Sequence, residues 1–395
     1  MMITLKILFW LCLFIVFYTY LGYGMLLYVI LKIKRLFGWV PEDPIPPNDT
    51  QLPSMTLMIC AYNEQDVIKE KMENIRQLDY PADKLCVMWV TDGSDDHSNE
   101  MLSQYPEVKL VFTPERRGKA AAMQHGLKEV STEIVTFTDA NPMLNSSALR
   151  EIARQFEKEN VSCVSGEKRV MARKEGQVAA EGEGLYWKYE SLLKRWDSEL
   201  YSAMGAAGEL FSVRMCHYEE APSNALLDDF MMSMLIVAKG HRIAYTSDAY
   251  AMEYGSADLT EESKRKRRIA AGGLQSIWWL RRLMNPFKYP MVSFQFVSHR
   301  VLRWSITPFA MLALIPLNIG LVGLGAGSLY TPILIMQLLF YCGALAGWLA
   351  DRSGRKNKLL YIPYYFLFMN INIFRGIRYL STHKTSGTWE KARRA

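Results

Sequence analysis

Several short polar segments carry residue types that could do chemistry. TDAN, Thr138 to Asn141, directly follows the apolar run EIVTF. A carboxylate at a strand end can hold a divalent cation, and such a cation would neutralise a diphosphate and stabilise it as a leaving group. Asp139 is therefore the expected metal ligand, with the Asn141 carbonyl as a second donor. The same pattern also reads as an ordinary turn in which Asp and Asn satisfy backbone groups. In VTDGSDD, Val90 to Asp96, Asp92 at a strand end can accept hydrogen bonds from a ribose or base, and Gly93 permits a close turn. A turn capped by Ser94 or Asp95 is the plainer alternative. In ERRGKAAA, Lys119 opens a helix beside a glycine, which suits an anionic ligand because the helix N-terminus adds its own partial positive charge.

These residues need a scaffold that brings them together. Strand-like runs alternate with helical patterns: MTLMICAY, VIKEKMENIRQL, LCVMWVTDG, SNEMLSQY, VKLVFT, GKAAAMQHGLKEV and EIVTFTDAN. That alternation predicts an α/β domain with a mostly parallel sheet covered by helices on both faces. Ligands of such sheets bind at the carboxyl ends of the strands, where Asn63-Glu64, Asp92 to Asp96 and Asp139 to Asn141 all fall.

Both ends of the chain are apolar. Ile7 to Leu31 has 25 residues without a charge. At 1.5 Å per residue this exceeds a hydrocarbon core of roughly 30 Å, so a spanning helix is predicted. The following Lys32, Lys34 and Arg35 place the next domain in the cytoplasm. Pro41 to Pro53 reads as a linker. Ile277 to Pro290 mixes aromatic and basic residues and is expected in the membrane interface. Ser305 to Gly325 and Pro332 to Ala350 are expected to span as an antiparallel pair. The last apolar run, from Leu359, has about 16 residues with two Asn. It is expected to be interfacial or re-entrant, leaving the C-terminal tail inside. The net charge of +6 sits largely beside the apolar runs, which fits membrane orientation and no nucleic-acid footprint. Six scattered cysteines show no metal-ligand spacing and no disulfide framework.

ICAYNE, VTDGSDD, RRGKAAAMQHGL, TDAN, GAAGELFSVR, LLDDF and RKRRIAAGG stand in the order and approximate spacing of the membrane-integrated family 2 glycosyltransferases, which the chain resembles over about residues 55 to 280. That group includes cellulose, chitin and hyaluronan synthase-like enzymes. The resemblance implies a GT-A fold, a UDP-sugar donor, Mg²⁺ or Mn²⁺, and inversion by direct displacement. It puts Ala61, Asn63 and Glu64 around the nucleotide, Asp92 on the uridine, Lys119 near the base or phosphates, and Asp139 on the metal. Asp228 and Asp229 match the family's paired acids, the second of which is its general base. An acceptor hydroxyl must lose its proton as it attacks, so that role is chemically apt, although two adjacent acids also suit a helix cap. Arg268 matches a diphosphate-binding arginine, while Arg265 and Ile269 stand where the family has Gln and Trp. Glu209 is a lesser candidate at the acceptor end. Loss of the Trp weakens the case for long-chain synthesis, and Tyr186, Trp187, Tyr189 and Trp196 are read first as interface packing. Trp389 matches a C-terminal element that closes over the nucleotide.

The expected organisation is an N-terminal transmembrane helix (1–35), a linker (36–54), a cytoplasmic GT-A domain (55–262), interfacial helices (263–302), two transmembrane helices (303–350), and a basic loop, interfacial segment and tail (351–395). The expected activity is transfer of a hexose or N-acetylhexosamine from a UDP-sugar to a saccharide or lipid-linked acceptor at the inner membrane, in polysaccharide synthesis. Membrane lipid is an expected partner, and association of chains is left open. Transfer of a single sugar to a lipid is the rival within the fold. A non-catalytic transport or receptor subunit is the rival outside it.

Overall fold

The computed structural model describes residues 1–171, 178–254, 259–353 and 357–382. The chain opens with helices α1 (Met2–Phe17) and α2 (Tyr23–Leu36), joined without a break by a π-helical turn over Tyr18–Gly22. Together they make a 35-residue helix, apolar and long enough to cross a bilayer. Its last turn carries Lys34 and Arg35, which complement the helix dipole. An extended, proline-rich stretch then leads into the α/β domain.

That domain contains β1 (Met55–Ala61), α3 (Gln65–Arg76), β2 (Leu85–Asp92), α4 (Ser98–Leu102), β3 (Val108–Thr113), α5 (Lys119–Leu127), β4 (Ile134–Asp139), β5 (Met143–Leu144), α6 (Ala148–Gln155), β6 (Val161–Met171), α7 (Val178–Leu200), β7 (Phe211–Arg214), α8 (Asp228–Ala238) and β8 (Arg242–Tyr254). Its eight strands form one sheet in the order β3-β2-β1-β4-β7-β6-β8-β5. The first four positions are parallel, as the alternation of strands and helices predicts, and β7 is antiparallel to both of its neighbours. Near-continuous apolar runs suit strands buried on both faces. Trp89, Ile59 and Leu57 face one core with α3 and α6, while Met58, Val90 and Phe137 face another with α5 and α8.

Register decides where the strand tips meet. Ala61 lies beside Thr91 of β2, and Cys60 lies beside Asp139 of β4. Asp92 and Asp139 therefore flank the end of β1, roughly two strand spacings or about 10 Å apart. The strand order reverses there, where open α/β sheets form a ligand crevice.

After β8 come α9 (Leu259–Trp279), α10 (Pro290–Phe296), a π-helical stretch over Val297–Ile306, α11 (Thr307–Gly323), α12 (Tyr330–Arg352) and α13 (Lys358–Thr382). Among the described residues, three helices are long and apolar enough to span: Met2–Leu36, Pro290–Gly323 and Tyr330–Arg352. The second is continuous from Pro290, so the expected boundary at 302/303 cuts through a helix. Its residues before Ser305 are largely buried, packed on α9 and on the Tyr18–Gly22 turn, with Arg300 reaching Glu190 of α7 and Trp304 reaching Phe230 of α8. The final run is one 25-residue helix along α9 and α12, with Pro363 inside it, and it does not fold back as a re-entrant segment would. Asn370 and Asn372 donate to carbonyls one turn back, which lets both amides sit in a helix interior.

Candidate active site

The tips of β1, β2 and β4 form one wall of a cavity of about 1520 Å³. Ala61, Asn63, Glu64, Asp92, Lys119, Asp139 and Asn141 all line it, and so do Glu209, Asp228, Asp229 and Arg268. The structure thus collects residues from seven separate segments around one space. Trp389 lies outside the described residues.

The loops behind the wall are tied to each other. Asn63 adopts a left-handed backbone with φ 53°, and its amide exchanges two hydrogen bonds with Asp95 at 2.6 and 3.1 Å. Asp92 is 5% exposed and accepts from the backbone N–H groups of Arg117 at 2.8 Å and Gly118 at 2.7 Å. Its first duty is to fix the turn before α5, although each carboxylate oxygen keeps a second lone pair. Gly118 reaches that turn with φ 96°, where a side chain would be strained. The turn delivers Lys119, whose Nζ lies 2.6 Å from Asp139 Oδ1. Enclosure disfavours its charge, but Asp139 and Asp228 outweigh this and hold Lys119 above the ordinary lysine value.

Lys71 supports the other side of the TDAN loop. It is fully buried, donates to the Pro142 carbonyl at 2.5 Å, and burial lowers it to about 7, against an opposing pull from Asp139. Sequence reasoning passed over it, yet a signal existed: Lys71 stands on the apolar face of α3 with Ile68, Met72 and Ile75. Cys60 also lines the cavity, but burial pushes its thiol up to about 12, so it stays neutral and unreactive.

Opposite stands the start of α8. Leu227 occupies the N-cap position, so Asp228 and Asp229 lie in the first turn and neither is the cap. Asp229 Oδ1 accepts from the Phe230 N–H at 2.7 Å, and a Cβ on Gly208 would stand 2.9 Å from Oδ2. Gly208 therefore makes room for this carboxylate. Burial and the neighbouring Asp228 push Asp229 up to about 6, while Lys119 and the Phe230 N–H hold it back. Asp228 Oδ2 is buried and has no hydrogen-bond partner.

Among the described residues no group of three or more His, Cys, Asp or Glu forms a metal cage. The oxygen donors of Asp139, Asn141 and Asp228 nevertheless suit a hard divalent cation that takes its remaining ligands from a substrate or water. The unpartnered Asp228 Oδ2 is an acceptor that such an ion would satisfy.

The far wall comes from helices that the sequence reading left outside the site. Tyr186, Trp187 and Tyr189 of α7 line the cavity, whereas Trp196 packs on Tyr28 with ring centroids 5.8 Å apart. Glu190 binds Arg300 and Arg303, each at 2.7 Å. Burial would raise Glu190, but Arg300, His299 and Arg303 hold it well below the ordinary carboxylate range. Glu209 is held by Lys168 at 2.7 Å and Arg265 at 3.1 Å, and Lys168 also pairs with Glu253. From α13, Tyr361, Tyr365, Met369 and Ile373 face the cavity at four-residue spacing, a stripe already visible in the sequence.

The sequence model described as "Glycosyltransferase like family 2" matches residues 53–272. A poly-beta-1,6-N-acetyl-D-glucosamine synthase from Staphylococcus aureus (strain MSSA476) is 24% identical over 237 residues, which cover 57% of this chain and 56% of that protein. The synthase of the same name from Staphylococcus epidermidis is 26% identical over 124 residues, 30% of each chain. The chain therefore spans little more than half the length of the first of these relatives. Among solved structures, a mannosyltransferase from Pyrobaculum calidifontis in complex with GDP-Man and Mn²⁺ superposes with a TM-score of 0.68 at 22% identity. That likeness covers 96% of this chain and 99% of the other, and it speaks for the fold.

Proposed function

The chain belongs to the family 2 glycosyltransferases, and on that premise we propose that it moves a hexose or N-acetylhexosamine from a UDP-sugar to an acceptor hydroxyl, with inversion. One observation carries the reading. A strand-end carboxylate, a lysine paired with it and a second carboxylate raised to about 6 share a single cavity. Asp139, with Asp228 and Asn141, would hold Mg²⁺ or Mn²⁺, which neutralises the donor diphosphate and stabilises it as a leaving group.

The chain's own residues do the rest. Lys119 and Arg268 meet phosphate oxygens, and Asp92 accepts from the nucleoside through its second lone pairs while it fixes the Lys119 turn. Asn63, Glu64 and Ala61 wall the nucleotide. Asp229 takes the acceptor proton as the hydroxyl oxygen bonds to the anomeric carbon, and the carbon–oxygen bond to the diphosphate breaks on the opposite face. A base near 6 is ionised at neutral pH yet keeps useful proton affinity. The basic cluster after the first spanning helix supports a cytoplasmic catalytic face.

Polysaccharide synthesis is the first reading of the product, in line with the names of the Staphylococcus relatives. A second reading, one sugar to a lipid, is favoured by the walls of the cavity, which include Tyr20 and Leu21 of the first spanning helix. Nucleoside diphosphate release from a panel of UDP-sugars and GDP-mannose, with Mg²⁺, Mn²⁺ or a chelator, tests the proposal, and product length separates the two readings. Turnover is expected with a UDP-sugar and a cation only. Asp139→Asn is expected to lower it at least roughly 10²-fold, the scale of losing one electrostatic partner of a transition state. Parental turnover by that variant, or turnover in chelator, would sink the metal assignment.

A further inference from the structure

Lys194 has no part in the mechanism above, and its setting is unusual. It belongs to α7, is 4% exposed and lines the cavity. It makes no hydrogen bond or ion pair with any described residue. An ammonium removed from water without a partner is costly, because burial disfavours the charge. Arg300 and three carboxylates, Glu190, Glu209 and Asp229, lie within its electrostatic reach, and each of the four has other partners. Glu190 serves Arg300 and Arg303, Glu209 serves Lys168 and Arg265, and Asp229 accepts from the Phe230 N–H. The three donors of Lys194 are left to whatever enters the cavity.

The same cavity continues past apolar groups. Leu21 comes from the first spanning helix, and Ile362, Phe366 and Met369 come from α13. A cation in the cavity that also holds the carboxylate assigned to the acceptor proton, and whose walls in part suit a hydrocarbon tail, points to an amphiphile with an anionic head.

We propose that Lys194 is the head-group site for the acceptor, and that the acceptor is a lipid carrying a phosphate beside the hydroxyl to be glycosylated. The word acceptor rests on the glycosyltransfer reading in its second form, one sugar to a lipid; the phosphate site does not. The phosphate stays bound to Lys194 while the neighbouring hydroxyl gives its proton to Asp229 and bonds to the anomeric carbon. The bond from that carbon to the departing diphosphate breaks in the same step.

The test uses the full chain in a neutral detergent with no sugar donor. Acylation of Lys194 by acetic anhydride is followed by mass spectrometry with dodecyl phosphate, inorganic phosphate or no addition, and exposed Lys69 serves as the internal reference. Dodecyl phosphate is expected to slow labelling of Lys194 at least tenfold and to leave Lys69 unchanged. Its affinity is expected to fall at least tenfold in Lys194→Met and to survive in Lys194→Arg. Equal protection by inorganic phosphate would keep the phosphate site and overturn the lipid as its source. No protection by either, or parental affinity in Lys194→Met, would overturn the proposal, and wild-type protection decides even if that variant fails to fold. Because no donor is present, a failure here is distinct from a failure to release nucleotide from any sugar donor.

Discussion

The two walls of the cavity are built on different principles. On one side, Asp92 and Asp139 end the two parallel strands that flank β1, and Lys119 opens a helix that lies between them in the chain. Each is placed by strand register and a few hydrogen bonds to a nearby loop. On the other side, Glu190 meets Arg303 across 113 residues of sequence, and both side chains are nearly sealed from solvent. The first wall keeps its charged groups partly open, with Lys119 40% and Asp139 29% exposed, as groups awaiting a ligand must be. The second spends most of its charges on one another. Buried ion pairs of that kind hold helices in one arrangement and give little net stability compared with apolar packing. The proposed chemistry thus falls on the strand-end wall and the architecture on the helical one, with Asp229 at the seam and Lys194 as the unspent charge.

Substitutions can break or sharpen that contrast. Asp229→Asn stands first, because it removes the proposed proton acceptor while nearly preserving shape. Transfer is expected to fall by roughly 10² to 10⁴, with donor affinity and folding intact, as read by steady-state kinetics and calorimetry. The same residue sets a pH limb. A carboxylate at about 6 is protonated below that value and cannot accept a proton, so kcat/KM is expected to decline as pH drops through about 6. A flat acid side would assign the base elsewhere, with Asp228 or Glu209 next.

Glu190→Gln tests the opposite wall. It leaves Arg300 and Arg303 buried without their carboxylate, and breaking a buried pair in this way costs about 3–5 kcal/mol. A clear loss in Tm in neutral detergent is expected, before any specific effect on turnover. An unchanged Tm together with lost turnover would move Glu190 from architecture to chemistry.

The smallest effect belongs to Asn141→Asp. A carboxylate in place of an amide adds charge to an oxygen donor set, so the cation concentration for half-maximal rate is expected to drop by about tenfold at most. Activity should persist. Loss of activity would show that the amide, and its hydrogen-bond donor, is required as it stands.

Much of the fold was legible in the sequence because its signals are local. Alternating apolar strands and amphipathic helices predict the parallel half of the sheet, and uncharged length predicts the three helices able to span. The polar tips at Asn63, Asp92 and Asp139 follow from the rule that such sheets bind at their carboxyl ends. In the family context, the motif order also brings Asp228, Asp229 and Arg268 into the reading, and all three line the cavity. What local pattern could not supply is the identity of the far wall. Tyr186, Glu190 and Lys194 stand on α7, and Arg300 and Arg303 on a helix whose composition suggests an interface. Only the packing of α7, α9 and α13 around the sheet turns those faces inward. The physical reason is that backbone hydrogen bonding and apolar periodicity act over a few residues. The partner of a buried charge is set by which distant helix happens to lie against it, and that is decided by the tertiary structure alone.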